Sequence, residues 1–231
     1  MSKPGPLAVM LNIDVPDVGS VSGLLLRPVD DASLLVFGHG AGAGMHHPFM
    51  EQMSAALAAR GMATLRYQFP YMEAGRRAPD RAPRLIQTVR AAVAVAEQMT
   101  DNLPLFAGGK SMGGRMTSMA AAEQTLPGVR GLIFFGFPLH GVGKAPSTDR
   151  GIHLAAVGLP MLFLQGTRDR LADLDLLRPL AAELRPASEL HVIDGADHGF
   201  HVLKRSGRTE HEVLDELADA ATGWANANPS P

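Results

Sequence analysis

Short apolar runs alternate along this chain with stretches whose apolar residues recur every three or four positions, and few architectures accommodate that alternation. The pattern predicts strands at 33–37 (SLLVF), 63–67, 103–107, 131–135, 161–164 and 189–193. Short runs of this kind, bounded by turn residues, suit a buried pleated surface. Helices are predicted at 49–60, after about 84, at 112–123, at 174–184 and near the C-terminus. Leu85, Val89, Val93 and Ala96 share a face of the second helix, and Val213, Leu217, Ala221 and Trp224 a face of the last. Gly61 is placed to end the first helix, because glycine tolerates positive φ. Segments 7–15 and 20–27 read as two early strands joined at 16–19. The Pro- and Arg-rich segment 69–84 reads as a loop, and the ends, 1–6 and 226–231, as frayed. Strands alternating with helices imply an α/β fold with a mostly parallel sheet covered on both faces.

The 231 residues suffice for one sizeable core and are few for two ordinary domains, so a single domain over 1–231 is expected. A formal charge of −2 carries no nucleic-acid or polybasic membrane signature. No apolar run approaches the roughly 18 residues of a membrane helix, and the N-terminus lacks a secretory pattern. A cytoplasmic protein without nucleic-acid or membrane partners is expected. With no cysteine, the chain has no disulfide, thiolate metal site or cysteine nucleophile.

The sharpest motif is Gly109-Lys110-Ser111-Met112-Gly113, which matches G-x-S-x-G between a predicted strand and a predicted helix. Such a turn reverses the chain within a few residues and lifts the serine Oγ above the sheet edge. Side chains two positions to either side would collide with the crossing strand and helix, hence the glycines. A phosphate-binding loop would need a glycine five positions before Gly109, and Pro104 stands there. The elbow outweighs both that reading and a chance match.

A serine alcohol needs a base within reach and donors for the developing oxyanion. Strand 33–37 runs into Gly38-His39-Gly40-Ala41-Gly42, whose small residues admit close backbone approach. The N–H groups of Ala41 and Met112 are the expected oxyanion donors. His198, in the Gly-flanked turn Gly195-Ala196-Asp197-His198-Gly199-Phe200, is the expected base, with His201 as its rival. Asp169, past the strand at 161–164, is the favoured acid, and Asp173 and Asp175 are substitutes that could equally be helix-start residues. Asp197 reads as capping its own loop. His46, His153, His191 and His211 read as surface histidines. The spacing of His39, His46 and His47 fits no standard metal motif, and no metal or cofactor is expected.

GHGAG, GKSMGG, QGTRD and GADHGF, in that order, resemble the dienelactone-hydrolase-like branch of the α/β-hydrolase superfamily. Phe135-Gly136-Phe137-Pro138-Leu139-His140 followed by Gly143-Lys144 is similar to small hydrolase-like proteins, a group that includes a subunit of the NSL histone-acetyltransferase complex. The resemblance spans about 33–200. It implies an α/β-hydrolase fold in which Ser111, Asp169 and His198 follow one another in the family's chain order. The chain departs from true dienelactone hydrolases, which use cysteine where Ser111 stands. It also has Gly141-Val142 where relatives carry a proline pair.

The resemblance implies cleavage of a small-molecule carboxylic ester or thioester through an acyl-Ser111 intermediate. The rival is a non-catalytic binding or scaffold module, against which a complete Ser–Asp–His set argues. Lids in this fold follow the strand that here is 131–135, and the segment to 161 is too short for a helical cap. An open cleft bordered by 70–84 and 140–153 is expected, favouring short acyl groups. Arg76, Arg77 and Lys144 read first as solvated surface charges and second as residues biasing its rim towards anionic substrates.

Overall fold

The computed structural model describes residues 5–100, 102–186 and 188–228. Of the two ends expected to fray, residues 1–4 and 229–231 lie outside the described residues, and the C-terminal end is corrected in part, because the last helix continues to Ala227. Eight strands form one sheet in the order β1-β2-β4-β3-β5-β6-β7-β8. They are β1 (Leu7–Val15), β2 (Gly19–Arg27), β3 (Ser33–Gly38), β4 (Met62–Tyr67), β5 (Leu105–Lys110), β6 (Val129–Phe135), β7 (Met161–Gly166) and β8 (Ser188–Ile193). β1 pairs with β2, and β2 with β4, antiparallel; every pairing from β4 through β8 is parallel.

Burial follows that topology. β3, β4 and β7 are buried at every position, as strands covered on both faces must be, whereas the edge strand β1 keeps most of its first half exposed. Helices α1 (Pro48–Ala58) and α6 (Glu210–Ala227) cover one face, where Met53, Leu57, Leu217 and Trp224 pack on Phe106, Ile133 and Phe135. Helices α3 (Ala82–Glu97), α4 (Met112–Glu123) and α5 (Leu174–Glu183) cover the other. There Val89, Val93, Met116 and Leu177 meet Val36, Leu65, Leu132 and Phe163.

Two segments carry more regular structure than the sequence pattern predicts. The loop at 69–84 contains a one-turn helix, α2 (Pro70–Glu73), and the start of α3. Proline lies within the first two positions of both helices, where its fixed φ and missing N–H cost nothing. Between β6 and β7 a 3₁₀ segment, Asp149–Ala156, folds back on α4. The chain has no lid domain there. Among the described residues, no helix is long and apolar enough to cross a membrane.

Chain order sets the position of the site. From β3 the chain passes to β4 on one side of the sheet, and β5 lies on the other, so the sheet's winding reverses between β3 and β5. The crevice outside the carboxyl ends of the strands at such a reversal is where α/β sheets bind ligands. Gly38 and Gly109 face each other there across the pair.

The last helix ties the fold together through buried Leu217 and a capping box between Thr209 and Glu212. Leu217→Ala should cost about 2–5 kcal/mol of stability and Thr209→Ala about 1 kcal/mol. Urea unfolding followed by circular dichroism checks both values, and Thr209→Ala costing as much as Leu217→Ala would contradict this account.

Candidate active site

Ser111 follows β5 as the N-cap of α4, with φ 50° and ψ −113°. A non-glycine residue holds such a backbone only where its surroundings over-determine it. Here they do. A Cβ on Gly113 would overlap the Gly38 carbonyl, one on Gly109 would meet the same oxygen, and one on Gly108 would strike the Ile133 carbonyl. A Cβ on Gly114 would also press on the Gly109 carbonyl, less severely. The glycines let strand, turn and helix cross at backbone contact distance, and the Ser111 N–H donates to the Phe135 carbonyl (3.1 Å).

The structure brings Ser111, His198 and Asp169 together. Ser111 Oγ lies 2.8 Å from His198 Nε2, and His198 Nδ1 lies 2.7 Å from Asp169 Oδ2. With Nδ1–H donating to the carboxylate, Nε2 presents its lone pair to the serine hydroxyl. The Asp169 side chain is fully buried. Its oxygens also accept from Gln165 Nε2 (2.5 Å) and the Leu171 N–H (2.7 Å). Gln165 is in turn fixed by accepting the Phe137 N–H (3.0 Å).

The rival residues serve elsewhere. Asp173 caps α5 by accepting the Asp175 N–H (2.9 Å), and Asp175 lies in that helix's first turn. Asp197 accepts the N–H groups of Gly199 and His201 and so shapes the turn that carries His198. The His201 ring pairs with Glu210 (2.7 Å) at the surface.

Lys110, the variable position of the motif, has a role the sequence pattern did not reveal. Its Nζ donates to the His198 carbonyl (2.5 Å) and lies over the rings of Phe200 (5.1 Å) and Phe49 (5.7 Å). The elbow is thereby tied to the histidine turn. Burial lowers the Lys110 pKa to about 8, against the opposing pull of Asp169 and Asp197.

The loop after β3 is organised by His39. With Nδ1 2.7 Å from the Gly40 carbonyl, the ring donates there, and Nε2 accepts the Phe69 N–H (3.1 Å). Such a ring must stay neutral, and burial lowers its pKa to about 4. Tyr71 Oη accepts the Gly42 N–H (3.0 Å) on the same loop. Ala41 and Met112 line one cavity with Ser111, and among the described residues neither N–H donates to a protein acceptor. His46 pairs with Glu51 and His47 caps α1, so the histidines weighed as a metal set are separately engaged. Among the described residues, no cluster of three or more histidine or carboxylate side chains could hold a metal ion.

One reading of the sequence is corrected. His153 is not a surface residue, because the 3₁₀ segment lays it against α4 with Nε2 2.7 Å from Ser118 Oγ. Ser118 is buried within the helix and its hydroxyl donates to the Arg115 carbonyl (2.9 Å), so this second Ser–His pair faces the interior. Burial and neighbouring Arg115 lower the His153 pKa to about 4.

Two cavities meet at Ser111. One, about 560 Å³, is walled by Phe49, Met50, Phe200 and Leu214 with Lys110 and His198. The other, about 360 Å³, includes Leu85, Met116, Arg115 and Arg150. Val142 and Leu171 border both. A larger hollow of about 660 Å³ lies beyond Asp169 among His140, Arg168, Arg170 and Asp173, and Ser111 does not line it.

A family profile described as an alpha/beta hydrolase domain matches residues 31–226, and the chain belongs to that family. A dienelactone hydrolase from Anabaena variabilis superimposes with a TM-score of 0.76 at 20% identity, over 98% of this chain and 100% of that one. An α/β serine hydrolase without lid from Xanthomonas campestris gives 0.70 at 18% identity, over 100% and 99%. Both are likenesses of fold. A putative phosphoribosyl transferase of Mycobacterium tuberculosis is 27% identical over 210 residues. That match takes in 88% of this chain and 43% of the relative, so the chain spans less than half the relative's length.

His39 and His153 give the fold an acid sensitivity. Both titrate near 4 when folded, against about 6.5 for a free imidazole. The unfolded chain therefore takes up protons between those values that the folded chain refuses. Their stabilisation is complete above about 6.5 and is lost as pH falls through 4. The urea midpoint should drop across that window and flatten in the double variant His39→Gln, His153→Asn. An equally steep drop in that variant would remove both histidines from the effect.

Proposed function

We propose that the chain is a serine hydrolase cleaving carboxylic esters or thioesters, with Ser111 as nucleophile, His198 as general base and acid, and Asp169 as the supporting carboxylate. The observation that carries this reading is the continuous hydrogen-bonded line Ser111 Oγ–His198–Asp169 opening on a cavity. In the first half-reaction His198 Nε2 takes the Ser111 proton as Oγ attacks the carbonyl carbon. The N–H groups of Ala41 and Met112 receive the oxyanion, a contribution of roughly 3–4 kcal/mol per donor in sites of this kind. Collapse of the adduct breaks the bond to the leaving oxygen or sulfur, which departs with the proton from His198. Water then gives a proton to His198 and attacks the acyl carbon. Ser111 leaves as the adduct collapses and recovers that proton, releasing the acid.

Asp169 stabilises the imidazolium in both halves, and Gln165 and the Leu171 N–H keep its oxygens oriented. Lys110 acts through His198, as a positioning residue holding the turn at its carbonyl. In this reading the chain is a cytoplasmic enzyme acting on a small molecule, and the chemistry draws on its side chains, the two backbone N–H groups and water.

A fluorophosphonate probe tests the assignment. Wild type should label at Ser111, and Ser111→Ala should lose labelling and about 10⁴–10⁶-fold in turnover while keeping its fold. Asp169→Asn should cost far more activity than Asp173→Asn. Full esterase activity in Ser111→Ala would end this reading, and equal losses at the two aspartates would reassign the acid.

The lidless cleft bears on chain length. The cleft is open to solvent, so an acyl group that extends past its apolar wall of Phe49, Met50, Phe200 and Leu214 leaves methylenes in water, each forgoing about 0.8 kcal/mol of binding. Across p-nitrophenyl esters from acetate to palmitate, kcat/KM should peak at short chains. A sharp optimum at palmitate would reveal a deeper acyl tunnel.

A further inference from the structure

We propose that Arg115 and Arg150 form a subsite for an oxyanion, carboxylate or phosphate, carried by the substrate and held beside Ser111. The proposal rests on Ser111 being the nucleophile and adds a substrate class to that reading.

Both arginines line the 360 Å³ cavity that also contains Ser111, Ala41 and Met112. Nε of Arg115 is buried with no hydrogen-bond partner. Among the described residues, no carboxylate lies at ion-pair distance from either guanidinium. Arg150 spends one donor on the His140 carbonyl (3.0 Å), which steadies it against the segment after β6. The two cations sit close enough for Arg150 to add to the burial that lowers the Arg115 pKa. His153, hydrogen-bonded to Ser118, stays neutral and supplies no countercharge.

Asp80 shares the cavity, but its Oδ1 is taken by Arg76 (2.8 Å) and lies 4.0 Å from Arg84. Its Oδ2 is buried without a hydrogen-bond partner, but Asp80 is a single negative charge against both Arg115 and Arg150 in the same lining, so the cavity keeps a net positive wall. Leaving a half-buried guanidinium unpaired is costly, and a planar fork facing a cavity is the geometry that recognises carboxylate or phosphate with two parallel bonds. This moves the anion preference from the rim residues of the sequence reading to the wall of the site. Arg76 is committed to Asp80, while Arg77 and Lys144 are exposed.

The test compares three p-nitrophenyl esters: the hydrogen adipate, the 5-phosphonopentanoate and the neutral 6-oxoheptanoate, which matches the adipate in shape. Wild type should favour at least one anionic ester over the neutral one in kcat/KM by about ten- to hundredfold, the size expected of charge-assisted hydrogen bonds. That ratio should fall to near one in Arg115→Gln and in Arg150→Gln. Preference for the adipate identifies a carboxylate as the ligand, and preference for the phosphonate a phosphate. Equal use of neutral and anionic esters by wild type, or an unchanged ratio in the variants, overturns the subsite while leaving the nucleophile standing. Loss of all ester turnover together with absent fluorophosphonate labelling of wild type overturns the nucleophile and the subsite with it. Circular dichroism checks folding, and the Arg150→Gln ratio decides alone if Arg115→Gln fails to fold.

Discussion

Ser111 sits at positive φ because three pieces of backbone cross beside it with no side chain between them. Gly113 approaches the Gly38 carbonyl on β3, Gly108 the Ile133 carbonyl on β6, and Gly114 the Gly109 carbonyl beneath it. Any one of these contacts closes if a Cβ is added, so the elbow is fixed by packing and not by the turn alone. That fixity points Oγ above the sheet edge and leaves the Met112 N–H unspent at the start of α4. The loops after β3, β7 and β8 are built against this point.

The surrounding polar groups are held in defined protonation and hydrogen-bonding states by burial. Asp169 keeps both oxygens occupied inside the protein, where an unmet carboxylate would be costly. His39 is neutral and uses both ring nitrogens to set the loop that carries Ala41. Lys110 spans from the elbow to the turn that carries His198. Hydrogen bonds in such a setting are stronger than in water and need no rearrangement during a reaction.

Around this rigid centre the cavity walls differ in character. Phe49, Met50, Phe200 and Leu214 make one side apolar, while Arg115 and Arg150 leave the other positively charged. Val142 and Leu171 stand between the two sides. Val142 is 85% exposed and falls on the border of both cavities. The segment that could have held a lid is spent on the 3₁₀ turn that presses Arg150 and His153 against α4.

Much of this was legible in the sequence because it is locally encoded. Strand and helix periods and glycines around a strand–turn–helix junction each act within a few residues, and they determined the α/β layering and the place of Ser111. Asp169 was favoured by its place past a strand end, but Asp173, Asp175 and Asp197 are chemically alike, and only the tertiary structure showed which carboxylate reaches His198, 29 residues from Asp169 in the chain. Gln165 and Lys110 gave no sequence signal as partners, since their contacts depend on strands brought side by side. His153 looked like a surface residue because nothing local announces that the 3₁₀ segment folds onto α4. The unpaired charges of Arg115 and Arg150 were equally invisible: a sequence counts charges, but only packing determines which of them find a partner and which are left facing a cavity.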